Sequence, residues 1–140
     1  MRSEFIAFAR ACIDTPFRHQ GRVPGVGLDC VGLVVVAARE VGIPVIDNLT
    51  YPHNPSDAFL RHMLVDVNGL TPCAFDDDLV ADLLLLRYTK RATHVAIRTD
   101  GGLVHATADI GKVVELEVAR IDFTAAGVPV AGRYRFAWPS

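Results

Sequence analysis

The hydrophobic period changes once along this chain, at Asn68-Gly69, and that change limits the folds open to it. Before it, apolar residues recur at helical spacing. After it, they fall in short runs separated by turn residues. Phe5, Ile6, Ala9, Cys12 and Ile13 form one stripe, which predicts a helix over Glu4–Ile13 capped by Ser3 and ended by Asp14-Thr15-Pro16. Gly21–Gly27, with Pro24 and Gly25 inside, reads as a loop. Leu33–Val36 alone would suit a buried strand. The full length of Cys30–Val41, the Asp29 cap and the stop at Gly42 and Pro44 specify a buried helix instead. Val45–Pro55 is a polar connection. Ser56 then caps a short third helix over Asp57–Val65, with Phe59, Leu60, Met63 and Leu64 inward.

Past Asn68-Gly69, the runs Leu83–Tyr88, His94–Thr99, Leu103–Ala106, Val113–Val118 and Arg133–Trp138 read as strands. Asp100-Gly101-Gly102 is a hairpin signal, and Asp109-Ile110-Gly111-Lys112 marks another turn. The spacing is that of a meander, so the sheet is expected to be antiparallel. Helices first and strands afterwards define an α+β fold with N-terminal helices packed on one side of that sheet. The last run, Arg133–Trp138, alternates like an edge strand whose aromatic outer end faces a partner. At 140 residues and 51% apolar, residues 1–140 make a single domain with one core.

A net charge of −2 with mixed signs predicts no nucleic-acid partner and no basic membrane-binding face. No apolar run has the length for membrane insertion. Cys12, Cys30 and Cys73 are odd in number and widely spaced, which argues against a disulfide scaffold and a structural metal. No cofactor is implied. The stretch Met1–Ile13 is too charged and too short in its apolar part for a signal peptide, so synthesis in the cytoplasm is expected.

The chemistry concentrates around Leu28-Asp29-Cys30-Val31-Gly32. An Asp29 cap puts Cys30 in the first helical turn, where orphan N–H groups and the helix dipole favour a thiolate. A cysteine there is a nucleophile when a histidine reaches it. A lone cysteine is more often a small buried hydrophobe; two histidines reverse that balance. His94 opens one strand, and His105 lies near the end of the next. Across the Asp100-Gly101-Gly102 hairpin the two share a sheet face, so that one orients the other. Asp29 has two open readings, a helix cap or a carboxylate that meets the amino end of a substrate. His19 reads as a solvated loop residue, His53 and His62 as surface, Cys12 as core and Cys73 as an inert, partly buried thiol. Asp76-Asp77-Asp78 reads as a solvated cap rather than a metal site, since consecutive carboxylates do not converge on one ion.

Thr15-Pro16-Phe17-Arg18, Leu28-Asp29-Cys30-Val31-Gly32, Asp82-Leu83-Leu84, His94-Val95-Ala96-Ile97 and Val104-His105-Ala106 occur in an order and spacing that resemble one family. This is the NlpC/P60 peptidases, papain-like cysteine enzymes that cut peptidoglycan stem peptides. The resemblance spans roughly Phe5 to Phe136. It implies a papain-like fold with Cys30 as nucleophile, His94 as general base and then acid, and His105 as the third polar residue. It also implies that Phe17, Asp29 and Val31 bind substrate, next to the bond between D-glutamate and a diamino acid. The family usually has Tyr at Phe17, often Ser at Val31, and Gly at Ala81. The compact form resembles the cell-wall peptidases of phage and gene transfer agent tail clusters. That resemblance implies tail-tip or hub proteins as partners and a particle that carries the chain to the cell wall. The same residues leave open a structural module with a degenerate peptidase fold, or an amidase or acyltransferase using the same Cys-His-His set.

Overall fold

The computed structural model describes residues 1–87, 93–117 and 130–139. The helical half comprises α1 (Arg2–Ala11), α2 (Cys30–Glu40) and α3 (Asp57–Arg61), the last continuing as a π-helical turn over His62–Val67. A two-stranded hairpin, β1 (Arg22–Val23) and β2 (Gly27–Leu28), lies inside the segment expected to be a loop. The remaining strands are β3 (Thr71–Cys73), β4 (Leu83–Arg87), β5 (Thr93–Arg98), β6 (Gly102–Thr107), β7 (Lys112–Glu117) and β8 (Val130–Arg135). Tyr88 and Val118, the expected last residues of two strands, lie outside the described residues.

These strands form one antiparallel sheet in the order β3-β8-β4-β5-β6-β7. The meander from β4 to β7 is as expected. The final strand differs: it starts three residues before the predicted Arg133 and lies between β3 and β4, not at an edge. Its aromatic end turns inward, where Trp138 packs edge-on against Phe5 and Phe136. Leu83–Leu86 are all fully buried because β4 is covered on both faces. Leu83 and Leu85 join Val95, Ile97 and Val104 in the core beneath α1 and α2, while Leu84 and Leu86 meet Ala96, Leu103 and Val130 on the opposite face.

Helix starts follow local chemistry. Asp29 Oδ1 accepts the Gly32 N–H at 2.7 Å, and Ser56 Oγ accepts the Phe59 N–H at 3.0 Å. Ser3 does not cap α1, which starts earlier; the terminal amino group pairs with Glu4 at 2.7 Å instead. Gly32 is required by contact, since a Cβ there would sit 2.0 Å from the Gly21 carbonyl oxygen. The first turn of α2 therefore lies directly against the loop before β1. Among the described residues no helix is long and apolar enough to cross a membrane.

The aspartate run is not a solvated cap. Asp78 pairs with Arg98 and Arg133 at 2.9 Å, and Asp77 pairs with Arg135 at 3.0 Å. These arginines alternate along β5 and β8, so their side chains turn to the acidic loop before β4.

Candidate active site

The local geometry of β5 explains how the nucleophile candidate meets the sheet. Arg98 bonds toward β4: its N–H donates to the Asp82 carbonyl and its carbonyl accepts from Ala81, both at 2.8 Å. Backbone groups alternate direction along a strand, so Ile97 and Val95 point toward β6. Ile97 finds its partner there, opposite Val104. The pairing of β5 with β6 is confined to Ile97 and Arg98, so Val95 lies beyond it. Its amide lies close enough to Cys30, at the start of α2, to favour the thiolate. Cys30 therefore sits near the stretch of β5 that carries His94.

His94 and His105 come together as the hairpin predicted. The β5–β6 register puts His105 opposite Ala96, diagonal to His94 on the same face. Nε2 of His94 lies 2.8 Å from Nδ1 of His105, with the rings edge to face. His94 is half-buried and His105 buried. Burial, with the neighbouring His105, lowers the pKa of His94 to about 3; burial lowers that of His105 to about 4. Both imidazoles are neutral at neutral pH, and each can carry one proton and accept at the other nitrogen.

The thiol departs from the expected thiolate. Burial pushes Cys30 up to about 11, and Asp29 adds to this, while the amides of Val95, Val31 and Cys30 itself pull in the opposite direction. The helix terminus does favour the thiolate, but desolvation outweighs it. At neutral pH the thiol and both histidines are uncharged.

Asp29 accepts four hydrogen bonds: Gly32 N–H at 2.7 Å, Gln20 N–H at 2.7 Å, Arg22 Nη1 at 3.0 Å and the Tyr51 hydroxyl at 2.5 Å. Those four fill a carboxylate's capacity, so a substrate amine would meet Asp29 only by displacing a donor. Phe17 is half-buried beside Leu28, its N–H bonded to the Gly111 carbonyl at 2.8 Å. Val31 lines an apolar cavity of about 50 Å³ between α2, the 45–48 segment and the π-helical turn.

His19 differs from its solvated reading: it is half-buried, stacks on the exposed His53 at 3.9 Å between ring centroids, and meets Tyr51 edge-on. His62 is exposed and bonded to Asp66. Cys12 is buried and Cys73 half-buried. Arg22, Asp47 and Tyr51 went unrecognised in the sequence. An aromatic residue in an otherwise polar connection was the signal for Tyr51. Among the described residues no three His, Cys, Asp or Glu side chains converge as a metal site requires.

This fold is that of a known class. The chain superposes on the crystal structure of the NlpC/p60 domain of peptidoglycan hydrolase SagA with a TM-score of 0.67. The match covers 97% of this chain and 99% of that one, at 21% sequence identity. The chain therefore has the α+β NlpC/p60 fold expected from its motifs. No protein-family model matches the sequence, and neither does a curated protein.

Proposed function

We propose that this protein is a cysteine peptidase that hydrolyses peptidoglycan stem peptides. One observation carries the reading: the Cys30 thiol lies within electrostatic reach of the Val95 amide, and His94, next to Val95 along β5, is hydrogen-bonded to His105. The fold shared with a peptidoglycan hydrolase domain supports the substrate class.

In this reading His94 donates its Nε2 proton toward Nδ1 of His105, which leaves Nδ1 of His94 as the base. Cys30 sulfur attacks the stem-peptide carbonyl carbon while its proton passes to that Nδ1. The N-terminal amides of α2, including that of Cys30, stabilise the oxyanion. The C–N bond breaks, the amine leaves with the proton from His94, and a thioester remains on Cys30. Water then attacks the thioester, giving its proton to His94. The C–S bond breaks, and the sulfur recovers the proton. Phe17 and Val31 contact substrate, and Asp29 holds the helix terminus that presents the thiol.

Two finer points rest on the sequence resemblance. The scissile bond lies beside D-glutamate, and a phage-like tail carries the protein with tail-tip or hub proteins as partners. Proteomics of purified particles is expected to find the chain; its absence from them would reject the delivery role. The burial of Cys30 favours a second reading, a structural module without turnover. Defined stem peptides incubated with the wild type and with Cys30→Ala separate the two. Fragments that need Cys30 support the peptidase. No cleavage by folded wild type, across stem types and pH, supports the module.

A further inference from the structure

Arg22 spends every N–H it has on the surroundings of the nucleophile. Nε and Nη2 reach the two oxygens of Asp47 at 2.8 and 3.1 Å. Nη1 reaches the Gly21 carbonyl at 2.9 Å and Asp29 Oδ1 at 3.0 Å, and Nη2 also donates to the Tyr51 hydroxyl at 2.8 Å. Five donors in a planar fork are what only arginine offers. Tyr51 passes the contact on, donating to the second oxygen of Asp29. A Cβ on Gly32 would lie 2.9 Å from Nη1, so the guanidinium rests on the first turn of α2. Arg22 and Asp29 are both largely shielded from solvent, with side chains 14% and 4% exposed.

We propose that Arg22 is a positioning residue for the nucleophile, holding the start of α2 against the 47–51 segment and neutralising the carboxylate one residue before Cys30. The inference rests on the reading of Cys30 as the nucleophile. The charged and titratable groups around the thiol are Asp29 from the cap of α2, Arg22 from β1, Asp47 and Tyr51 from the connection, and His94 and His105 from the sheet. Arg22 is the cation bonded to Asp29 and Asp47, and Arg39, farther along α2, also acts on Asp47. Without Arg22, Asp29, buried one residue before the thiol, loses its cation, and a negative charge nearby disfavours a thiolate. The direction agrees with the effect of Asp29 on Cys30, which adds to the larger effect of burial. Lysine would keep the charge but has too few donors to hold Gly21, Asp29, Asp47 and Tyr51 together.

The test needs no peptidoglycan. Alkylation of Cys30 by iodoacetamide is followed by peptide mass spectrometry from pH 7 to 10, in a Cys73→Ala background, where the rate follows the thiolate fraction. Arg22→Met is expected to slow the reaction about tenfold at each pH. Adding Asp29→Asn to Arg22→Met is expected to return the rate to near the wild-type value. Arg22→Lys is expected to fall between the wild type and Arg22→Met. A brace without electrostatic effect would lower the melting temperature and leave the rate in place. Should Arg22→Met not fold, Asp29→Asn alone gives the second reading: asparagine preserves the cap, and the rate is expected to rise. Unchanged rates in the variants that fold would overturn the inference. A native Cys30 that no pH renders reactive would overturn the nucleophile reading itself.

Discussion

Asp29 and Asp82 are both buried carboxylates that accept four hydrogen bonds, yet their surroundings differ in kind. Asp29 takes two backbone N–H groups, a tyrosine hydroxyl and one arginine, which it shares with Asp47. Asp82 takes three bonds from Arg133 and Arg135 and one from the Leu79 N–H. Around Asp82 three aspartates balance three arginines, since Asp77 and Asp78 join it and Arg98 completes the set. Around Asp29 two carboxylates bond to one guanidinium, and Arg39 reaches Asp47 only through its charge. The balanced cluster ties β4, β5 and β8 to the acidic loop. The unbalanced one adjoins the thiol. Saturation alone therefore does not separate structural from functional polar groups; residual charge and the neighbouring reactive atom do.

This contrast can be broken by substitution on either side. On the thiol side, His94→Ala removes the proposed base and is expected to cost about 10²- to 10⁴-fold in turnover while the melting temperature changes little. Stem-peptide kinetics with thermal denaturation check both halves of that statement. On the sheet side, Asp82→Ala leaves Arg133, its side chain 1% exposed, with Asp78 alone and Arg135 with Asp77 alone, so three arginines share two carboxylates. A loss of about 3–5 kcal/mol in denaturant unfolding is expected, with turnover per folded molecule retained.

Acid should reveal the two regions one after the other. Burial holds His94 and His105 below the ordinary histidine range, so the unfolded chain takes up their protons first. Stability is thus expected to fall as pH drops from about 6.5, the unfolded histidine value, toward about 4. Asp78 is held below its ordinary value by hydrogen bonds from Arg98, and Asp47 by those from Arg22 against the effect of burial. Their contribution is present above about pH 3.9 and is lost below it. Urea midpoints from pH 7.5 to 3 should show both stages. His105→Gln should flatten the upper stage, and Asp78→Asn should weaken the lower. A single loss confined below pH 4 would contradict the account of the histidine pair.

The smallest effect concerns the backbone. Ala81, before Asp82, and Gln20, which donates to Asp29, both have left-handed φ values, 71° and 59°. Ala81→Gly relieves the strained backbone and is expected to stabilise the chain by about 1 kcal/mol. Gln20→Gly relieves the same strain but loses the Nε2 bond to the Tyr51 carbonyl, so a smaller gain or none is expected. Equal gains in chemical denaturation would show that this bond contributes nothing.

Features set by neighbours in sequence were legible. The caps at Asp29 and Ser56 act within three residues, and the hairpin between His94 and His105 carries its own turn signal. Features joined through irregular connections were not. Arg22 meets Asp47 and Tyr51 across 25 and 29 residues with no periodicity to announce it. Arg133–Trp138 reads as an edge strand because the acidic loop that pairs with Arg133 and Arg135 lies about 50 residues away in sequence. The protonation of Cys30 was misjudged because the helix dipole is local and readable, whereas burial is a property of the finished fold. The NlpC/p60 fold itself was legible because its motifs lie on the elements that build it.

The central claim is that Cys30 forms the acyl bond. Intact-protein mass spectrometry of the protein quenched in acid during incubation with a stem peptide tests it directly, with peptide mapping to locate the adduct. A mass increase equal to the acyl fragment is expected, located on Cys30 and absent from Cys30→Ala. Turnover that persists in Cys30→Ala, or an acyl group mapped to another residue, would contradict it.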